Sequence, residues 1–154
     1  MTNKKRFWLV VTSFDNYEIS KNEMLLGFSQ KWEKQVSVPS EEDFVLIYIS
    51  KKSVLINSNS LSQFISVTQF SGNAFFLEDT PWIEKKGKRY PICRKVTRFI
   101  EANEPVRVHD YIEELAFIKK PNGWAAYFLT PIKEIPEQDF ELITNRMGIN
   151  KLNI

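Results

Sequence analysis

The stretch Phe117-Ile118-Lys119-Lys120-Pro121-Asn122-Gly123-Trp124, followed by Ile135-Pro136-Glu137-Gln138-Asp139-Phe140-Glu141-Leu142-Ile143, decides how this chain is read. Its second half predicts a helix with marked ends. Pro136 suits a first helical position, Glu137 and Asp139 favour the helix N-terminus, and Phe140, Ile143 and Met147 form an apolar stripe that must be covered. Arg146 suits the last turn, and Gly148 suits the left-handed position just past it. The first half sets a Trp directly after an Asn-Gly turn, and Ala125 to Leu129 reads as one more strand.

Further strands lie on the N-terminal side. Phe44 to Ile49 is six apolar residues in a row, too short for a normal helix and rich in β-formers, so it predicts a central strand. Residues 6 to 13 are almost wholly apolar and predict a strand covered on both faces. Gln63 to Phe70 and Tyr90 to Phe99 read as strands, and Phe75 to Trp82 as a strand or an extended loop, since Pro81 biases Thr80 toward extended backbone. Asp15 is placed to cap a short helix through about Asn22, and His109-Asp110 precedes a second short helix with Ile112 and Leu115 on one face. Leu25 to Ser40, with Gly27 and Pro39, reads as a long loop. The expected class is α+β, mainly β: an open barrel of five or six strands flanked by two or three short helices, in one domain spanning residues 1–154.

Composition narrows the function. A chain of 154 residues buries a core without disulfides or metals, and the single cysteine, Cys93, has no partner within the chain. An apolar run of membrane-spanning length and a signal-peptide pattern are both lacking, so a soluble, cytoplasmic protein with no membrane partner is expected. Net charge is only +2, so a nucleic-acid partner must be argued from where charge sits. Lys85, Lys86, Lys88, Arg89, Arg94, Lys95 and Arg98 form a run without an acidic residue between them, whereas Glu134 to Glu141 is acidic. Lys85, Lys86, Lys88, Arg89, Lys95 and Arg98 are therefore the candidate phosphate contacts. Aromatic residues make up 14% of the chain, more than a core of this size requires, and leave rings for surface platforms.

The blocks around Trp124 and Pro136 resemble the C-terminal signature of EVE-domain (UPF0310-type) proteins of the PUA-like superfamily. Phe7-Trp8-Leu9-Val10-Val11-Thr12-Ser13 is similar to the family's first strand, and Gly27-Phe28 and Asp43-Phe44-Val45-Leu46-Ile47-Tyr48-Ile49-Ser50 follow in the family's order. The resemblance spans most of the chain and implies a PUA-like fold and recognition of a modified base in RNA or DNA. It departs at two places: Glu42-Asp43 stands where relatives usually carry Gly-Asp, and Trp124-Ala125 where they often carry Trp-Gly.

A pocket that accepts one base needs aromatic walls and a few polar groups for the base edge. Trp124, Trp32 and Trp82 lie in or beside loops and are the candidate walls, with Phe28 beside Gly27, whose bare backbone permits close approach. Trp8, in mid-strand, reads as core. Ser13 and Ser50 close two strands, and with Tyr48 they fall where the resemblance implies pocket-lining positions. Arg94 shares a face with Ile92 and Val96, so it is either paired, or serves a ligand, or turns outward through a bulge; a one-residue shift against relatives would put Cys93 in its place.

Catalysis is not expected. His109 and Glu113 have the helical spacing of two metal ligands but lack a second histidine or cysteine nearby, so no metal or cofactor is predicted. Cys93 with His109 lacks the orienting group of a nucleophilic pair, and no phosphate-binding glycine loop or nucleophile elbow is present. The expectation is a nucleic-acid-binding module that takes a single base into an aromatic pocket beside a basic strip. A small-ligand or protein-interaction module on the same fold is the alternative, and a nuclease or glycosylase rests only on Glu42, Asp43 and His109. DNA against RNA, the modification and the oligomeric state stay open.

Overall fold

A computed structural model describes residues 4–55, 60–85 and 87–150. Its centre is a five-stranded sheet in the order β7-β4-β3-β1-β8, built from β1 (Phe7–Thr12), β3 (Phe44–Lys51), β4 (Ser60–Gln69), β7 (Ile100–Arg107) and β8 (Ile132–Ile135). A three-stranded sheet in the order β2-β6-β5 comprises β2 (Leu25–Phe28), β5 (Phe75–Phe76) and β6 (Ile92–Lys95). The helices are α1 (Phe14–Glu23), α2 (Glu33–Ser37) and α3 (Glu137–Met147), joined by 3-10 turns at Gln30–Trp32, Val108–Asp110 and Pro121–Phe128. The class is α+β, mainly β, and the sheets form no closed barrel. Among the described residues no helix is long and apolar enough to cross a membrane.

The all-apolar runs lie at the centre of the sheet for a physical reason. β1 pairs parallel to β3 and antiparallel to β8, so both of its edges are filled and both of its faces are covered. Alternation divides the side chains: Phe7, Leu9, Leu46, Tyr48 and Phe64 pack with Phe140, Ile143 and Met147 of α3. Trp8, Val10, Val45, Ile47 and Ile49 face the other way, toward Tyr17 of α1, Leu26 and Phe28 of β2 and Ile92 of β6. The parallel β1–β3 pair requires a crossover, and the segment from α1 to α2 supplies it. The candidate site lies on this crossover side.

Several local expectations differ from what forms. The strands number eight among the described residues rather than five or six, because short pieces that pattern poorly alone gain their hydrogen bonds from partners. Leu25 to Ser40 is not a loop: Leu25–Phe28 pairs with Ile92–Lys95, and α2 follows. Ala125 to Leu129 is not a strand, since all but Leu129 belong to the 3-10 segment Pro121–Phe128; the strand is β8, which completes the edge of β1. His109 to Leu115 forms a single 3-10 turn and further turns rather than an α-helix. Ser13, not Asp15, occupies the N-cap of α1, with Asp15 in the first turn. α3 matches its expectation within one residue, with Pro136 at the N-cap and Gly148 closing the helix at φ 76°.

The departure at Glu42 has a visible backbone cost. Glu42 sits at φ 72°, the left-handed region in which a side chain crowds the following carbonyl and which glycine enters freely. Its surroundings hold it there: its N–H donates to the Phe70 carbonyl at 2.7 Å, its carbonyl accepts from Gln69 Nε2 at 2.8 Å, and its carboxylate pairs with Lys5. That pairing lowers the Glu42 pKa.

Candidate base-binding cleft

A cleft of about 880 Å³ opens between the first strand of the central sheet, the smaller sheet and the loop before β6. Val10, Leu26 and Phe28 supply apolar lining, Trp32 and Trp82 supply indole rings, and Ser13, Ser50 and Tyr90 supply polar groups. Of the residues singled out from sequence, Ser13, Gly27, Phe28, Trp32, Ser50, Trp82, Lys88 and Arg89 are thus brought to one place from five segments of chain.

Trp82 is the best anchored of these rings. Its Nε1–H donates to Ser20 Oγ at 2.8 Å, and it is only 6% exposed. The next residue is clamped as well: Asn16 Nδ2 donates to the Ile83 carbonyl at 3.0 Å and Asn16 Oδ1 accepts from the Ile83 N–H at 2.7 Å. One side of the ring rests on Gly27, where a Cβ would lie 2.4 Å from Trp82 Cζ3 and 2.6 Å from Cη2. Glycine is therefore required at that position by close approach. Asn16 and Ser20 are cleft-lining positions that sequence reasoning missed; a buried polar pair on a weakly amphipathic helix gives no signal until its partner is known.

Trp32 is held differently. It is half-buried at the end of a 3-10 turn, with Lys31 Nζ 5.5 Å from its ring centroid. The chain that follows it is fixed by charged side chains. Arg94 Nη1 donates to the carbonyls of Val36 and Pro39, both at 2.9 Å, and Arg94 Nε to that of Gly72 at 2.7 Å. Arg6 Nη2 donates to the Val38 carbonyl at 2.8 Å, and the buried Asp43 accepts from the Ser40 N–H at 2.9 Å and from Trp8 Nε1 at 3.0 Å.

Arg94 itself does not line this cleft. It is fully buried, stacked over Phe70 at 4.5 Å, and burial lowers its pKa against the pull of Asp43 and Glu41. Tyr48 is also elsewhere, on the α3 side of the sheet, stacked on Phe128 at 4.1 Å, because alternation along β3 turns it away from the crossover. Trp124 packs edge-on to His109 at 5.0 Å and to Phe128 at 6.0 Å, half-buried against the same core, and lies outside the cleft lining. Its place after the Gly turn does not put it at this opening, since Gly123 lies within the 3-10 segment rather than in a hairpin.

The charged side chains that line the cleft have one sign. Lys31, Lys51, Lys88 and Arg89 line it, and none of its described lining residues is acidic. Arg89 is partly engaged, with Nε 3.8 Å from the Glu84 carboxylate and Nη2 donating to the Glu78 carbonyl. Lys85, Lys95 and Arg98 are exposed but do not line the cleft, and Lys86 lies outside the described residues. Burial, then the negative charges of Glu84 and Asp15, raise the pKa of Tyr90 and keep its hydroxyl protonated at the cleft wall.

The groups considered for chemistry do not gather here. Cys93 is buried, its thiol pushed up to about 11 by burial, so little thiolate exists near neutral pH. His109 faces Trp124, and Asp43 serves the Arg6–Ser40 contacts. Among the described residues no group of three His, Cys, Asp or Glu side chains is arranged to hold a metal ion.

Comparison with known proteins agrees with the fold. No family model matches the chain. The UPF0310 protein PH1033 of Pyrococcus horikoshii is 21% identical over 140 residues, covering 89% of this chain and 95% of that protein. Among solved structures, the YTH domain of Zygosaccharomyces rouxii MRB1 in complex with N6-methyladenosine RNA superposes with a TM-score of 0.66 at 19% identity, covering 97% of this chain and 90% of that one. The Pho92 YTH domain in complex with m6A gives 0.63 at 15% identity, covering 98% and 88%. The resemblance read from the sequence is borne out by these likenesses.

Proposed function

We propose that this EVE-type domain of PUA-like fold is a reader of modified nucleic acid that takes one base into the cleft lined by Trp32 and Trp82. One observation carries the reading: a cleft with two indoles, Phe28 and four cations, and with no carboxylate among its described lining residues. Rings accept a base through its π face, worth about 1 to 3 kcal/mol per stacked base, while the cations hold phosphates whatever the sequence. The dry, pinned Trp82 suits discrimination, because a rigid wall cannot adapt to the wrong shape. The YTH neighbours, which hold N6-methyladenosine RNA and m6A, favour RNA and a methylated base as the first probes. The reading makes this a binding module rather than an enzyme, in keeping with described lining residues that include no Asp, Glu or His, the side chains that most often serve as general acid or base.

The test is fluorescence anisotropy with oligonucleotides carrying single modified adenines or cytosines, each beside its unmodified counterpart, at two salt concentrations. Preference for one modified base, with affinity falling steeply as salt rises, supports the reading. Trp82→Ala should erase the preference and leave weak, salt-sensitive binding. Lys88→Glu with Arg89→Glu should weaken all sequences alike and flatten the salt dependence. Binding that ignores both modification and salt would instead identify a small-ligand or protein-interaction module.

A further inference from the structure

We infer that the cleft takes its base from a single strand, whose neighbouring bases rest on apolar lips at the cleft mouth, and not from a paired duplex. The inference rests on the base-reader reading above and adds the class of polymer. Leu129 and Phe76 both line the cleft, yet they are 80% and 58% exposed. A side chain that borders a cavity while keeping most of its surface in water stands at the opening. Leu55, 59% exposed, follows the lining residue Val54 and extends the same character.

The backbone explains how these side chains come to stand there. Phe76 belongs to β5, a two-residue edge strand whose register partner on β6 is Ile92, so the ring projects at the border of the smaller sheet. Leu129 caps the 3-10 segment Pro121–Phe128, directly after the buried Phe128, so its neighbour is anchored while it is not. Exposed apolar side chains scattered singly are ordinary, but gathered at the mouth of one cleft they mark a binding surface.

Charge selects what covers them. The lips share one cleft with Lys31, Lys51, Lys88 and Arg89, which calls for a partner that offers both apolar faces and anionic groups. A single-stranded nucleic acid does so: its bases can unstack and lie flat on a side chain while its phosphates reach the cations. A duplex keeps its base faces stacked inside and presents only sugar and phosphate, against which Phe76 and Leu129 would lose water without gaining a partner.

The experiment uses an RNA of about nine nucleotides with one central N6-methyladenosine, alone or annealed to its complement, and N6-methyladenosine 5′-monophosphate as a third probe. The wild-type chain should bind the single strand at least about fivefold more tightly than the duplex, the lower range of one lost stacking contact. Phe76→Ser with Leu129→Ser should lose at least about fivefold on the single strand, more than on the mononucleotide, while leaving the salt slope unchanged. Both side chains are mostly exposed, so circular dichroism should show an intact fold, and Leu129→Ser alone should lose part of the same affinity. Equal or tighter binding to the duplex, or a double variant that holds the strand like wild type, overturns the inference. A wild-type chain that binds methylated and unmethylated strands equally defeats the base-reader reading, while the preference for strand over duplex is scored separately.

Discussion

Replacing Gly27 by alanine tests whether the cleft is built around a seated Trp82. The added Cβ would fall 2.4, 2.6 and 2.7 Å from Cζ3, Cη2 and Cε3 of the ring, distances that real Cβ atoms do not adopt. The ring cannot swing away freely, because its N–H is held by Ser20 at 2.8 Å and the next residue is clamped by Asn16. Overpacking of this kind costs about 1 to 3 kcal/mol, a lost hydrogen bond adds about 1 kcal/mol, and restricting a glycine returns about 0.4 to 1 kcal/mol. The net expectation is a loss of about 2 kcal/mol, or a melting temperature lower by roughly 4 to 8 °C for a chain of this size. Thermal and urea unfolding followed by Trp fluorescence would measure it, with a red shift marking displaced Trp82. Gly123→Ala is the matched control, since a Cβ there would meet nothing within 4 Å and only the gain of about 0.4 to 1 kcal/mol from restricting the unfolded chain is expected. A Gly27→Ala protein that melts with wild type, with the same emission spectrum, would refute the seating of Trp82 and the shape of the cleft derived from it.

Four other outcomes follow from the same geometry. Phe140→Ala, which empties a fully buried position against Phe7 at 4.8 Å and Phe44 at 5.6 Å, should cost about 3 to 5 kcal/mol in urea unfolding; a wild-type midpoint would show that α3 is not docked as described. Glu42→Gly should raise stability by about 1 kcal/mol by removing a side chain from φ 72°, and a destabilised variant would mean that the contacts of Glu42 outweigh its backbone. Trp124→Ala should lower the melting temperature through its packing on Phe128 and leave base preference unchanged, and loss of preference in a folded variant would return Trp124 to the pocket wall. Because burial pushes the native Cys93 thiol up to about 11 from an ordinary 9.0, the unfolded chain is expected to lose that proton first as pH rises. This contribution is constant below about pH 9 and declines between about 9 and 11, by up to about 3 kcal/mol, so Cys93→Ala should lose less stability than wild type across that window. Parallel pH profiles would count against it.

What could be read from the sequence is what short-range physics decides. The runs at Phe7–Thr12 and Phe44–Lys51 show their central place because a strand covered on both faces has no polar side to display. The last helix shows its ends because Pro136, the early acids and Gly148 act within one turn of backbone. The resemblance to the PUA-like family also lives in these locally encoded pieces. Ser13, Gly27, Phe28, Trp32, Ser50 and Trp82 were legible as candidates because their residue types suit a base pocket.

The choice among the candidates was not legible. Trp32, Trp82 and Trp124 each stand beside turns, and nothing local separates a cleft wall from a core lid. Tertiary structure separates them: Gly27 and Ser20 receive Trp82 into the cleft, while Phe128 and His109 hold Trp124 on the other side of the sheet. Leu25–Phe28 became a strand only because Ile92–Lys95 lies beside it, and buried Arg94 donates through Nε and Nη1 to carbonyls 22, 55 and 58 positions away in the chain. Hydrogen bonds and ring contacts made over such separations depend on where the fold brings the backbone, and a run of residue types carries no record of that meeting.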